Sequence, residues 1–488
     1  METLTADYIK VLKWTVERKN VFFCGSAGTG KTTLVKKIIR ALPRRAVVTA
    51  ATGIAASQYD NAFTIHSFLG IGTKNNSLST VLSNINNNPD IHHRINNIDA
   101  IIIDEISMIS SQLLELINSI LQSVRENEEL FGGVQLIACG DFKQLPPVPS
   151  KTDIGDYAFN SELWSLTFKH SVYLTCVFRQ EDHEFVDILE DISNGKCSEK
   201  TIQVLSNHRN ELDPQNFNME FIPTIYTHNV DVRHHNMSKL LEHPGEIHTF
   251  KATDTGSRTV INKHVLAEEK LHLKVGVPVM LIYNCSSKLR NGTTGTVVGF
   301  EEGLPVVCFP AANQYVRVGR KTWRVEAGGI GSQVCSRTQI PLKLGWAFTI
   351  HKSQGLSLNA AEIHCRNVFA PGHLYVALSR VRTLQGLRLV GFSRSSVTAP
   401  PPEVLAFIDS IQTGSQYVPS HRRINLTTGD DADDADDWHD VNDDEVNWAN
   451  SVENLLSSDS NVHSDTEDTT KFLTQAIITF HPLHCISI

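Results

Sequence analysis

The 488-residue sequence contains no Cys-x-x-Cys pair, and its nine cysteines are scattered and odd in number. That pattern excludes the common zinc ribbons and a disulfide framework, and it favours a reducing compartment. No window has the basic start, short apolar core and small-residue end of a signal peptide, and no apolar run is long enough to cross a bilayer. Secreted and membrane-bound classes are therefore excluded. A soluble intracellular protein is expected, working in the nucleus, or in a host nucleus for a viral source. Basic charge is also scarce: 44 Lys and Arg face 53 Asp and Glu, a net charge of −9. The deficit is local, because residues 430–488 hold fifteen acidic side chains and one lysine, leaving 43 basic and 38 acidic side chains elsewhere. A mildly basic body is compatible with a polyanionic partner without demonstrating one.

From about 20 to 170, strand-like runs (NVFFC, AVVTA, AIIIDE, VQLIACGD) alternate with helical ones (TTLVKKIIRAL, SSQLLELINSILQSVREN). This rhythm predicts an α/β fold with a parallel sheet covered on both faces. Gly70 to Asn97 is Asn-rich and poorly periodic, and reads as a small surface insertion. A second α/β region is expected over 171–285 and again over 341–395. The Gly- and Val-rich stretch between them, 286–340, reads as a small inserted β-barrel. After TAPPPE at 398–403 a short helix, VLAFIDSIQ, is expected, and DDADDADDWHDVNDDE cannot build a core.

Gly25-Ser-Ala-Gly28-Thr-Gly30-Lys31-Thr32 follows a strand and opens a helix, the required context for a phosphate-binding loop. Lys31 is expected to reach the β- and γ-phosphates of ATP, and the Thr32 hydroxyl to ligand magnesium. IIIDEISM ends a strand on Asp104 and Glu105, suited respectively to holding magnesium and activating water. LIACGDFKQLPPV brings Gln144 to a second strand end, where it serves either as a γ-phosphate sensor or as a turn residue. Arg179 in LTCVFRQ and Arg380 in YVALSRV are candidate arginine fingers, each a surface or salt-bridge residue if taken alone.

The ordered series GSAGTGKTT, TAATGIAA, FTIHSF, IIIDEISM, FGGVQLIACGDFKQLPPV, YLTCVFRQ, GWAFTIHKSQGLSL and LYVALSRV resembles the superfamily 1 helicases of the PIF type (petite integration frequency), relatives of the RecD-like helicases. The likeness spans roughly residues 4–392. It implies two RecA-like P-loop motor domains, the first over 1–170 with a small wedge near 70–97. The second, over 171–400, would carry an SH3-like β-barrel near 286–340, and 401–488 would be an acidic, largely disordered tail. The resemblance also implies an ATP- and magnesium-dependent DNA helicase moving 5′ to 3′ on single-stranded DNA, acting on tailed duplexes in replication, repair or recombination. Gln354 and Gly355 join Lys31, Thr32, Asp104, Glu105, Gln144, Arg179 and Arg380 on the family's nucleotide motifs. Thr52, Gly53, His66, Phe68, His351 and Lys352 fall on motifs facing the DNA, with a core or capping role open for His66.

One departure stands out. Where the family presents a glutamine to the adenine edge, Leu4-Thr5-Ala6-Asp7-Tyr8 places a tyrosine, which can stack on a base but cannot make the two-sided amide contact. Relaxed nucleotide selectivity is expected. The acidic segment reads as a solubilising tail or as a nucleic-acid mimic, and Phe472 to Ile488 as a docking peptide for a replication protein or a weakly ordered end. A translocase that does not separate strands, and a nucleotide-gated DNA-binding switch, are the competing readings.

Overall fold

The computed structural model describes residues 5–415, 417 and 486–487, apart from 43–44, 57, 73–76, 151–152, 181, 218, 287–288, 290, 327–333, 367 and 369. The acidic segment 430–445 and residues 472–485 lie outside the described residues. Among those described, no helix is long and apolar enough to cross a membrane.

Six parallel strands form the first sheet: β1 (Val21–Gly25), β2 (Ala46–Ala50), β3 (Phe63–Thr64), β4 (Ala100–Asp104), β5 (Gln135–Gly140) and β6 (His170–Leu174), in the order β3-β2-β4-β5-β1-β6. Every residue of β1, β4 and β5 is buried, as a parallel strand covered on both faces requires. Because these three strands are neighbours in register, Cys24 lies beside Gly140 and Ile103 beside Ala138. Their C-terminal ends therefore present the phosphate loop, Asp104–Glu105 and Gly140–Asp141 along one edge. Helix α1 (Ala6–Val16) and helix α2 (Lys31–Ala41) accompany this sheet, with α2 starting directly after Gly30.

The structure corrects three boundaries. Strand β6 pairs with β1, so the first sheet continues past the expected division at 170. Residues 70–97 contain two helices, Leu78–Asn86 and Pro89–Asn96, and not only irregular chain. Ser77 and Asn88 cap them by accepting from the amides of Thr80 and Ile91, and Val81, Ile85 and Ile95 are buried in the first core. The β-rich region begins near His248, well before 286, with the short strands His248–Lys251, Thr253–Thr255 and Lys270–Leu273. It continues as an antiparallel sheet in the order Leu342–Leu344, Pro278–Leu281, Thr294–Glu301, Leu304–Phe309 and Gln314–Arg317, where Ile486–Ser487 pairs in parallel. Val279, Val297, Val307 and Phe309 form a core of its own.

A second parallel sheet, ordered Ala347–Thr349, Thr224–Tyr226, Ala361–His364 and Leu387–Val390, carries its own apolar core built on Phe185, Ile188, Ile225, Ile363 and Leu378. The chain then returns. Helix Pro402–Thr413 buries Val404, Phe407 and Ile408 in the core of the first sheet, so the segment expected to be tail from 401 opens with a packed helix. The Phe407 ring stacks on Phe159 at 4.2 Å and meets the edge of Phe142, next to Asp141, at 5.4 Å. Phe407→Ala should destabilise the first half by about 3 kcal/mol, the usual cost of deleting a buried aromatic ring. A urea titration followed by near-ultraviolet circular dichroism measures this, and a loss below about 1 kcal/mol would show that the helix is not part of the core.

Candidate active site

A cleft of roughly 760 Å3 opens along the edge where β1, β4 and β5 end, and residues from both halves of the chain line it. From the first half come Gly28, Gly30, Lys31, Thr32, Asp104, Glu105 and Gln144; from beyond β6 come Arg179, Gly355 and Arg380. The nucleotide residues expected from sequence are thus brought together, with Gln354 bonded to Glu105 at the same place.

The phosphate loop turns through Gly28 and Gly30, both with positive φ. A Cβ on Gly30 would sit 2.1 Å from the Tyr8 hydroxyl, so only glycine fits. Lys31 donates to the carbonyls of Gly25 at 2.7 Å and Ser26 at 3.1 Å, which curls the loop around its own ammonium group. Asp104 accepts from the Glu105 amide, from the Cys139 thiol and, at 2.5 Å, from the hydroxyl of Tyr59. Thr32 and Asp104, the two residues expected to hold magnesium, both line the cleft.

Glu105 has a left-handed backbone (φ 56°) and is buried. It accepts from the Gln354 amide at 3.0 Å. Burial, and after it the neighbouring Asp104 carboxylate, pushes its pKa up, while Lys31, Arg380 and Gln354 oppose the shift. Gln144 donates to Asp141 at 3.1 Å and faces the Arg380 guanidinium at 3.5 Å. Arg380 is buried, bonded to the Val376 carbonyl at 2.9 Å and the Ser379 hydroxyl at 2.8 Å. Burial, then the nearby Arg179, draws its pKa down to about 10, and it stays charged at neutral pH. Arg179 donates to the Ser379 carbonyl at 3.0 Å, so both guanidiniums are tethered to the end of one helix, His373–Ser379.

Tyr8 is placed differently from expectation. Its side chain is buried, and its hydroxyl donates to the loop carbonyls of Thr29 and Gly30, each at 3.0 Å. The exposed ring beside it, with centroids 6.1 Å apart, is that of Phe178, which does line the cleft. Tyr59, Phe178 and Tyr375 also stand at this site, where the sequence does not lead one to expect them. Phe178 adjoins Arg179 and was the one with a signal.

Of the residues expected to face DNA, Thr52 caps the helix Gly53–Ala56 by accepting from Ala55 at 3.2 Å. Gly53 lies against Asn291, where a Cβ would come within 3.3 Å. His66 is largely enclosed, and burial draws its pKa down. Phe68 requires a correction. It is 2% exposed in the first core, packed on Phe63 and beneath the Arg94 guanidinium, with no face free for a base. His351 and Lys352 occupy the short helix Ile350–Ser353 at the end of a strand of the second sheet. Burial, then Lys343, draws the Lys352 pKa down to about 8.

Comparison with known proteins follows the same lines. A family model described as PIF1-like helicase matches residues 6–203, and one described as DNA helicase Pif1, 2B domain, matches 259–300. The human ATP-dependent DNA helicase PIF1 is 37% identical over 440 residues, covering 88% of this chain and 66% of that protein. The chain thus spans just under two thirds of the length of that relative. The crystal structure of the Pif1 helicase from Candida albicans aligns with a TM-score of 0.76 and 32% identity, over 84% of this chain and 100% of the other. A Pif1 helicase from Bacteroides, solved with ADP-AlF3 and single-stranded DNA, aligns with a TM-score of 0.74 and 31% identity, over 85% and 98%.

The raised pKa of Glu105 has a stability consequence. A carboxyl whose pKa rises on folding favours the folded state at low pH and loses that contribution as pH climbs through the raised value. Glu105→Gln should therefore raise the melting temperature at pH 7, with the gain over the parent growing as pH rises above the ordinary carboxyl value of 4.5. Thermal melts of both proteins across about pH 4 to 8 test this; a gain independent of pH would contradict it.

Proposed function

Because the chain belongs to the PIF1-like helicase family, we propose that it is an ATP-dependent DNA helicase that moves 5′ to 3′ along single-stranded DNA and separates the duplex ahead. The observation that carries this reading is the shared cleft. Its water-activating carboxylate, Glu105, is bonded to Gln354, and its sensor, Gln144, faces Arg380, so hydrolysis and the approach of the two halves involve the same side chains.

In this reading Lys31 leaves its loop carbonyls for the β- and γ-phosphates of ATP. Thr32 and Asp104 offer hard oxygens, a donor set that fits magnesium. When bound, magnesium supplies charge neutralisation across the phosphate oxygens. Glu105, with its raised pKa, takes the proton of the attacking water, Gln144 orients that water against the γ-phosphate, and Arg179 and Arg380 stabilise the charge of the transition state. We assign the two parallel sheets to RecA-like motor units and the β-rich insertion to an SH3-like barrel. The helices Leu78–Asn86 and Pro89–Asn96 are assigned to the wedge. Thr52, Gly53, His66, His351 and Lys352 would line the path of the strand, meeting phosphates and stacked bases with little sequence preference.

Strand separation on 5′-tailed and 3′-tailed duplexes tests the proposal. Only the 5′-tailed substrate should open; Lys31→Ala should abolish hydrolysis, and Arg380→Ala should slow it by about 10³-fold, as for other arginine fingers. Opening from the 3′ tail alone would overturn the direction, and hydrolysis indifferent to DNA would overturn the motor. The base platform yields a further expectation. With Tyr8 committed to the loop backbone and Phe178 offering only a ring face, ATP, GTP, CTP and UTP should be hydrolysed with kcat/KM values within about tenfold of each other, since large discrimination requires a polar group that reads the base edge. A stronger preference for ATP in matched assays at low nucleotide concentration would refute it.

A further inference from the structure

Tyr375 lies on the helix His373–Ser379 of the second half, yet its hydroxyl is shared by two elements of the first. It accepts from the Ala27 amide of the phosphate loop at 2.7 Å and donates to the Asp141 carboxylate at 2.9 Å. The phenol is buried, and burial followed by the Asp141 charge pushes its pKa well above the usual value. It therefore keeps its proton, and the direction of both bonds is fixed. Asp141 in turn accepts from the Gln144 side chain, whose carbonyl oxygen faces Arg380. A chain of polar contacts results: loop tip, Tyr375, Asp141, Gln144 and Arg380, whose guanidinium is in turn bonded to the carbonyl of Val376, next to Tyr375.

A second observation points the same way. Gly372, at the N-terminal end of that helix, has φ 79°, and a Cβ there would lie 2.4 Å from the Gln144 carbonyl oxygen and 2.8 Å from that of Lys143. The helix is seated directly on the backbone of the sensor turn, closer than any side chain at 372 would allow.

We propose that Tyr375 is a positioning residue for nucleotide hydrolysis: its hydroxyl orients the Asp141–Gln144 sensor only while the helix bearing Arg380 is docked on the phosphate loop. The inference rests on the hydrolytic reading of the cleft. It adds the device that makes the sensor's geometry conditional on contact between the halves, without Tyr375 touching substrate. A hydrogen bond to a charged acceptor contributes enough for its loss to slow turnover about 10- to 100-fold when it is needed in the transition state.

Tyr375→Phe removes one oxygen and leaves the buried ring. In steady-state ATP hydrolysis with saturating single-stranded oligonucleotide, kcat should fall about 10- to 100-fold while KM for ATP stays within about threefold. Gly372→Ala, which lifts the helix off the sensor turn, should produce the same loss of kcat. The double variant should be no slower than the slower single one, because both act through one contact. Thermal melts confirm that each variant is folded, and Gly372→Ala carries the test alone if Tyr375→Phe is not. A Tyr375→Phe kcat within twofold of the parent, a loss confined to KM, or losses that multiply in the double variant would overturn the inference. Failure of the parent chain to hydrolyse ATP, with Lys31→Ala as the blank, would instead count against the hydrolytic reading itself.

Discussion

The cleft buries charge of both signs, and an isolated buried ion costs several kcal/mol even after relaxation. Asp104, Glu105, Asp141, Lys31 and Arg380 are all largely removed from solvent, and Glu105, Asp141 and Arg380 each have a partner across the cleft. Gln354 reaches Glu105, Tyr375 reaches Asp141, and Gln144 meets Arg380. Polar contacts thus join the halves here, beside the apolar packing of Ala27 and Leu145 into the core of the second half. Apolar surfaces attract without regard to detail, whereas a chain of hydrogen bonds is lost as a unit when its geometry shifts.

The centre of the first sheet is legible in sequence because β1, β4 and β5 are largely apolar runs buried throughout, each followed by residues that line the cleft. NVFFC followed by GSAGTGKTT, and AIIIDE followed by its carboxylates, state both the element and its use. Other parts hide for definite physical reasons. The helices at 78–96 are short, and only their caps (Ser77, and Asn88 before Pro89) announce them amid asparagine. The β-rich region begins with strands of three or four residues, too brief for alternation to register. Phe68 sits in a motif expected to face DNA, yet on a short helix its position turns inward and joins the core.

Within the site, charged residues were found and tyrosines were missed. Lysines, carboxylates and arginines at strand ends declare a role by their rarity in buried surroundings. Tyr59 and Tyr375 are ordinary core residues by type, and only their hydroxyl partners, far away in sequence, show what they do. Tyr8 illustrates the reverse. Its position along the chain suggested a base contact, whereas its hydroxyl is already engaged with the carbonyls of Thr29 and Gly30.

The return helix Pro402–Thr413 has a mechanical meaning. The chain leaves the first sheet after β6 and rejoins its core at Phe407, so the second half is suspended from the first by two covalent links at opposite ends of its sequence. A body held at one point can swivel in any direction. A body held at two turns about the line through them, as a door turns on its pins. For the two halves here that line joins the crossing after β6 to the return before Pro402, and rotation about any other line strains one of the two links.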